Sequence, residues 1–301
     1  MSIAAAIVTY HPDIDKLNSV IKAVLPQVQH VALLDNTDDE SSAARIRYGA
    51  PAGVSYHWLG GNKGVAAAHN TAIHLARNRG MDFLLLLDQD SVPDPDMIRH
   101  LEHAHRSLTH QHVKVAAVGP AYRDQKTGSE SFFIKLGLMA SRRYFPSLLP
   151  HDAIVPSDTL ISSGTLMALD TIDKVGQMDE SLFIDHIDTE WFLRAASMGY
   201  TAFGVCAAKM THSLGERLVN VWLGRWRTVP VHPAFRIYYI FRNSIALYKR
   251  DYTPLRWIVF DIKRLILMVL LFGLFVGDRF EQIAMIAKGL QHGLSNRSGA
   301  L

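Results

Sequence analysis

Five short, continuously apolar runs punctuate the first part of the chain, at 3–10, 31–34, 54–59, 83–87 and 115–118. They are partly β-branched and too short for helices, the pattern of parallel strands buried on both faces. Between them, 13–25, 64–79 and 94–108 carry apolar residues at helical spacing, and 39–47 does so more weakly. Alternation of this kind predicts an α/β fold with a Rossmann-like, nucleotide-binding sheet flanked by helices. Proline-rich 120–160 predicts irregular structure, mobile or facing a second substrate. Thr189–Met198 predicts a helix ended by Gly199, and 233–250 and 254–293 predict further helices.

In an open α/β sheet, ligands gather at the carboxyl ends of the strands. The residues leaving the runs are Thr9-Tyr10-His11, Asp35-Asn36, Gly60 to Gly64 and Asp88-Gln89-Asp90-Ser91. Four polar or glycine-rich exits in succession predict one shared cleft. Asp88 and Asp90, leaving the most apolar run, offer hard oxygen ligands suited to Mg²⁺ or Mn²⁺ carrying a diphosphate. The alternative is an Asx-turn capping the next helix. A second acidic cluster, Asp185 to Glu190, places Asp188 either as a general base at the cleft mouth or as a helix cap. His212 reads as a loop histidine unless the fold brings it to the metal. No Walker A loop, G-x-G-x-x-G, H-E-x-x-H, C-x-x-C or G-x-S-x-G is present.

Composition adds an asymmetry. With 49% hydrophobic and 20% charged residues, the 301-residue chain has room for one elaborated domain or two. A single cysteine, Cys206, excludes a disulfide framework and points to the reducing cytoplasm. Residues 1–215 carry a net charge of −5 and 216–301 one of +8. We therefore expect a catalytic domain at 1–215 and a basic, apolar helical tail at 216–301. The apolar run Leu265 to Gly277 is about 20 Å long as a helix, short of a roughly 30 Å hydrocarbon core. It fits a helix lying on an anionic membrane, peripheral to its inner face, as well as a hairpin packed on the core or forming a homo-oligomer. The basic and aromatic residues of the tail fit those surfaces better than nucleic acid.

The series Val8-Thr9-Tyr10-His11-Pro12, Leu34-Asp35-Asn36, Gly61-Asn62-Lys63-Gly64 with Asn70, Asp88-Gln89-Asp90-Ser91, Ser163-Gly164, and Phe183-Ile184-Asp185 through Arg194 resembles family 2 glycosyltransferases. More narrowly, it resembles bacterial rhamnosyltransferases of lipopolysaccharide and surface-polysaccharide synthesis. Residues 3–215 carry the likeness, and Arg242-Asn243 extends it. The resemblance implies a GT-A fold and inverting, metal-dependent transfer from a nucleotide sugar, dTDP-L-rhamnose, to a saccharide or lipid-linked acceptor. It implies that Thr9, Tyr10, Asp35, Asn62, Gly64 and Asp88 bind the nucleotide sugar. Asp90 and His212 would hold the metal, and Asp188 would be the base. Ser163, Gly164, Asp185, Glu190 and Arg194 would support the acceptor or the acidic cluster. Ile187 stands where many relatives have an acid. A non-catalytic nucleotide-sugar-binding subunit and a family 2 transferase using another donor are the alternatives.

Overall fold

The computed structural model describes the chain except residues 50, 52, 126, 138, 139, 213–216, 223–225 and 276–278. Side chains are also left out at 44, 45, 47–49, 217–222, 226–231 and 272–275. Thirteen strands and nine α-helices are present among the described residues. The front half runs β1 (Ile3–Thr9), α1 (Ile14–Val24), β2 (His30–Asp35), α2 (Glu40–Gly49), β3 (Val54–Trp58), α3 (Val65–Asn78), β4 (Phe83–Asp88), β5 (Ser91–Pro93), α4 (Met97–His110) and β6 (Val115–Asp124). Next come β7 (Phe133–Leu136), β8 (Ser141–Tyr144), β9 (Ile154–Ser157), β10 (Leu166–Ala168), α5 (Leu169–Val175), α6 (Ile187–Ser197) and β11 (Thr201–His212). The tail holds β12 (Arg217–Trp222), β13 (Trp226–Val231), α7 (Ala234–Tyr248), α8 (Leu255–Phe275) and α9 (Arg279–Leu294).

The main sheet has the order β3-β2-β1-β4-β10-β6-β11-β5, with β9 on β11. β1 pairs in parallel with β2 and β4, and β2 with β3. The antiparallel β10 separates β4 from β6, which β11 joins in parallel. Two reversals restore direction, so β11 ends at the same edge as β4. That edge receives Asp88 from one strand and His212 from the other.

Both faces of the sheet are covered, which explains the unbroken apolar runs. Ala4, Ala6, Leu84 and Leu86 face one cluster with Ile73 of α3 and Trp191 of α6. Ile3, Ile7, Leu85 and Leu87 face the other with Val20 of α1 and Leu101 of α4. Each such buried aliphatic side chain contributes about 1.5–3 kcal/mol of transfer free energy. Leu247 of α7 and Trp257 of α8 join the first cluster, so the tail helices are packed against the catalytic sheet. The boundary expected at 215/216 lies outside the described residues.

The structure departs from expectation in three places. The 120–160 stretch contains the β7–β8 hairpin and β9 rather than only irregular chain. Residues 254–293 form two helices, α8 and α9, and α9 folds back along α7. The end of the apolar run, 276–277, lies outside the described residues. Helix α6 starts at Ile187, so Asp188 sits inside its first turn and the capping position belongs to His186. Gly199, at φ +83°, closes that helix as expected.

Candidate active site

A cleft of about 660 Å³ opens at the carboxyl edge of the sheet. Thr9, Tyr10, Asn62 and Gly64 line one side, and Asp88, Asp90 and His212 line the floor. Ser163, Asp185 and Asp188 line it as well. Ten of the residues anticipated from sequence therefore share this one space. Asp35, Gly164, Glu190 and Arg194 do not line it.

Those four act behind the surface. Asp35 is fully buried and accepts hydrogen bonds from the Thr9 hydroxyl (3.1 Å), Thr37 N–H (3.0 Å), the Thr37 hydroxyl (2.6 Å) and Tyr56 OH (2.7 Å). It fastens β1 to the β2 exit. Glu190, 1% exposed, accepts from Arg194 Nε at 2.7 Å and Nη2 at 2.9 Å, and from Tyr252 OH at 2.6 Å. Arg194 also donates to the carbonyls of Val175 and Gln177, both at 2.7 Å. Gly164 is buried against Pro120 and Met210.

The glycine of the β3–α3 loop has a specific reason. At Gly64 (φ +86°) an added Cβ would lie 2.5 Å from the Phe183 carbonyl oxygen. Val65 N–H donates to that same oxygen at 2.8 Å. Asn62 Oδ1 accepts from Gly64 N–H at 3.1 Å, and Asn36 brackets the loop through Lys63 N–H and the Gly64 carbonyl. A side chain at 64 would push the β3–α3 loop off the loop that carries Asp185.

Asp88, Asp90 and His212 each offer one ligand atom, all within 4.8 Å of one another. His212 is placed by a chain of hydroxyls. Asp88 N–H donates to Ser163 Oγ (3.0 Å), Ser163 to Ser91 Oγ (2.6 Å), and Ser91 Oγ lies 2.7 Å from His212 Nδ1. Ser91 and His212 are register partners of the β5–β11 pair. An Asp90 carboxylate oxygen lies 3.5 Å from the same ring nitrogen. Burial pushes both carboxyls above their ordinary range, against the opposing pull of His212. Two desolvated carboxylates and an imidazole whose orientation is fixed by a hydroxyl form a donor set suited to Mg²⁺ or Mn²⁺.

Asp188 lines the same cleft, close enough to Asp88 for the two carboxyls to influence each other. Its Oδ1 accepts from Thr189 N–H at 2.7 Å, and a backbone bond from Ser162 adds to it. It keeps some contact with solvent, yet the packed cleft wall desolvates it and pushes its pKa up to about 6. The nearby Asp185 and Asp88 push the same way. Asp185 differs, because Arg236 grips it with Nη2 at 2.5 Å and Nε at 3.3 Å.

The 182–186 loop that presents these acids is strained, with left-handed backbone at Phe183 (φ 64°), Asp185 (φ 62°) and His186 (φ 62°). Helix α7 holds it there. Buried Asn243 Nδ2 donates to the carbonyls of Leu182 (3.0 Å), Ile184 (2.8 Å) and Asp185 (2.9 Å). Arg242 Nη2 donates to the Leu182 carbonyl at 2.8 Å. His186, its pKa lowered to about 4 by burial and Arg264, is held between Ser244 and Arg264 of α8. Sequence reasoning did not assign His232, Phe235 and Arg236 to this cleft, although all three line it. Long-range packing of α7 delivers them, and no local pattern announces it.

This geometry can now be set beside known proteins. Residues 5–151 match the model for glycosyl transferase family 2. The chain is a family 2 glycosyltransferase-like protein. The glycosyltransferase is 29% identical over 272 residues to the dTDP-rhamnosyl transferase RfbF of Shigella flexneri, a match covering 87% of this chain and 86% of that protein. In fold it is similar to GalNAc-T7 solved with UDP, GalNAc and Mn²⁺ (TM-score 0.58, 12% identity, 98% of this chain). It spans 56% of that chain's length. Staphylococcus aureus TarS 1–349 in complex with UDP-GlcNAc is also similar, with TM-score 0.53, 12% identity, and 99% and 82% coverage of the two chains. At such identities these structures speak to the fold alone. The glycosyltransferase has the GT-A architecture, with a mixed sheet flanked by helices and a helical C-terminal extension.

Proposed function

We propose that this glycosyltransferase moves L-rhamnose from dTDP-L-rhamnose to a saccharide or lipid-linked acceptor in bacterial surface-polysaccharide assembly, with inversion. The donor identity rests on the likeness to the Shigella protein. The observation that carries the chemistry is that Asp188 and the Asp88–Asp90–His212 group line one cleft. Thr9, Tyr10, Asn62 and Gly64 would cradle the nucleotide, with Asp35 stiffening that wall from behind.

In this reading Asp188 accepts the proton of an acceptor hydroxyl, whose oxygen forms a bond to the anomeric carbon. The bond from that carbon to the diphosphate oxygen breaks on the opposite face, and its electron pair leaves with the nucleoside diphosphate. Asp88, Asp90 and His212 would hold Mg²⁺ or Mn²⁺, which would supply positive charge to offset that of the leaving diphosphate. No enzyme nucleophile is required. A cleft base with a pKa near 6 is ionised at neutral pH and remains basic enough to take a proton in the transition state.

The tail supports a cytoplasmic enzyme docked at the inner membrane face. Ile262, Ile266, Leu267 and Leu270 of α8 are exposed beside Lys263. Among the described residues no helix is long and apolar enough to cross a membrane. Sedimentation with anionic liposomes that weakens with salt is the expected result. Equal recovery in the supernatant with and without liposomes would favour helices that serve only to pack on the core. The transfer reading itself is tested with a panel of nucleotide sugars, with and without chelator. dTDP-L-rhamnose should be consumed fastest, and only with Mg²⁺ or Mn²⁺. Preference for another sugar would overturn the donor, and undiminished turnover in chelator would remove the metal.

A further inference from the structure

His186 precedes Asp188 by two residues and lines the cleft with it. A histidine in that place is a rival for the role of base, yet its outward nitrogen is already engaged. Nε2 lies 2.9 Å from Arg264 Nη2 and 3.1 Å from Ser244 Oγ. A guanidinium has donors and no acceptor, so this ring nitrogen must accept. His186 is therefore the neutral tautomer with its proton on Nδ1. Burial, aided by the Arg264 charge, keeps it neutral, with the pKa lowered to about 4.

Arg264 is itself held. The buried Asp261, three residues earlier on α8, places Oδ1 2.8 Å from Arg264 Nε and 2.7 Å from Nη2. Its Oδ2 accepts from Tyr248 OH at 2.8 Å. Nη2 carries two protons, one for the carboxylate and one for the imidazole. Well-packed apolar side chains would hold α8 in place as firmly, because burying two charges costs much of what their attraction returns. What the pair adds is direction, since a rigid planar fork aims its N–H at one point. Trp257, on the same face of α8, meets the His186 ring edge-on at 5.7 Å between centroids. The residue held in this way has left-handed backbone, and its carbonyl accepts the first α6 bond from Glu190 N–H at 2.8 Å. Fixing its ring fixes the start of the helix that carries Asp188.

We propose that Arg264, aligned by Asp261, is a positioning residue for the transfer: through His186 it sets where α6 begins and so where the Asp188 carboxylate stands in the cleft. The proposal rests on the transfer reading, in which Asp188 is the base. It takes His186 out of contention as the proton acceptor. It also makes α8, whose outer face carries the exposed Ile262, Ile266 and Leu267, part of what holds the base.

The test compares variants of the full-length protein. His186→Gln keeps an acceptor near the place of Nε2, whereas His186→Leu removes it, and the left-handed backbone burdens both alike. Arg264→Met alone would leave Asp261 buried without its cation, so it is paired with Asp261→Asn. Turnover is read as hydrolysis, with Mg²⁺, of whichever nucleotide sugar the donor panel shows to be consumed fastest. All rates are taken well below the lowest Tm of the set. His186→Leu and the double variant should lose about 10–100-fold in kcat, as a misplaced catalytic group does. Donor KM, and nucleoside diphosphate affinity by calorimetry, should stay within about twofold, and His186→Gln should turn over within about threefold of the parent. A mere strut would lower Tm and spare kcat. Independently of activity, ¹⁵N NMR of the parent at neutral pH should show His186 protonated at Nδ1 and bare at Nε2, a bias lost in the double variant. A proton on Nε2 in the parent, or equal kcat for the Leu and Gln variants, would overturn the proposal. A wrong choice of base would show instead as near-normal transfer by Asp188→Asn, and would leave the tautomer and the Leu–Gln difference in place.

Discussion

Glu190 and Asp188 stand two residues apart in the first turn of α6, yet they meet opposite surroundings. Glu190 points inward and is met by an arginine fork and a tyrosine hydroxyl. Asp188 lines the cleft, receives backbone N–H groups and, among the described residues, has no cation acting on it. Burial near a guanidinium makes a carboxylate into a fixed strut. Burial without one raises the carboxyl's proton affinity and leaves it ready to exchange a proton. In the proposed reading the same turn of helix therefore carries a structural acid and a reactive one, and the partner supplied by the rest of the fold decides between them.

Removing the strut has the largest expected effect on stability. Glu190→Ala leaves Arg194 partly buried and deprives Tyr252 of its acceptor, and breaking such a pair costs about 3–5 kcal/mol. Thermal unfolding should show a large fall in Tm. Nucleotide affinity measured well below that Tm should change little. A variant of unaltered Tm with lost nucleotide binding would reverse the roles assigned to the two acids.

The loop ahead of the helix gives the next contrast. Asn243→Ala removes a donor group that serves three carbonyls and leaves the left-handed backbone at Phe183, Asp185 and His186 less restrained. Each lost buried hydrogen bond is worth about 1 kcal/mol, so a moderate drop in Tm is expected. Turnover should fall by more than nucleotide affinity, because Asp185 and Asp188 follow this loop. Equal losses in both would make Asn243 a scaffold residue with no bearing on the acids.

Much of the reactive acid's setting was legible before the structure. Strands β1, β2 and β4 announced themselves because parallel strands covered on both faces have no polar alternation to hide them. Their exits named the cleft floor. β11 escaped because its register shifts between Val205 and Lys209 and its sequence mixes Gly204, Cys206 and Lys209 with small apolar residues. His212 thus looked like a loop residue, and only the family pattern suggested a ligand. The strands β7 to β9 are short and set among prolines. Arg236 and Asn243 reach the acidic loop across 51 and 58 or more positions, a separation at which spacing arguments say nothing. The division between Glu190 and Asp188 was equally invisible, since Tyr252 arrives from the tail.

The smallest effect is in the pH profile. Asp188 must be ionised to act as base, and its folded pKa is about 6. kcat/KM should therefore be flat at neutral pH and fall about tenfold per pH unit below that value. The sign for stability is opposite to that of a salt-bridged acid. The folded state holds this proton more tightly than the unfolded chain, so Asp188's contribution is most favourable at low pH. It declines as pH rises from the unfolded value near 4 through 6. Stability of Asp188→Asn should lack that decline. An acid limb unchanged in position in an active Asp188→Asn enzyme would assign the limb to another group.

The most direct measurement is transfer by Asp188→Asn at saturating donor and neutral pH, paired with calorimetry of nucleoside diphosphate and Mg²⁺ on the same preparation. Asparagine keeps the size and the Thr189 contact but cannot take the proton. The account predicts a rate lower by about 10²–10⁴-fold with nucleotide affinity close to that of the unmodified enzyme. Near-normal transfer would contradict it and move the role of base to Asp185, released from Arg236.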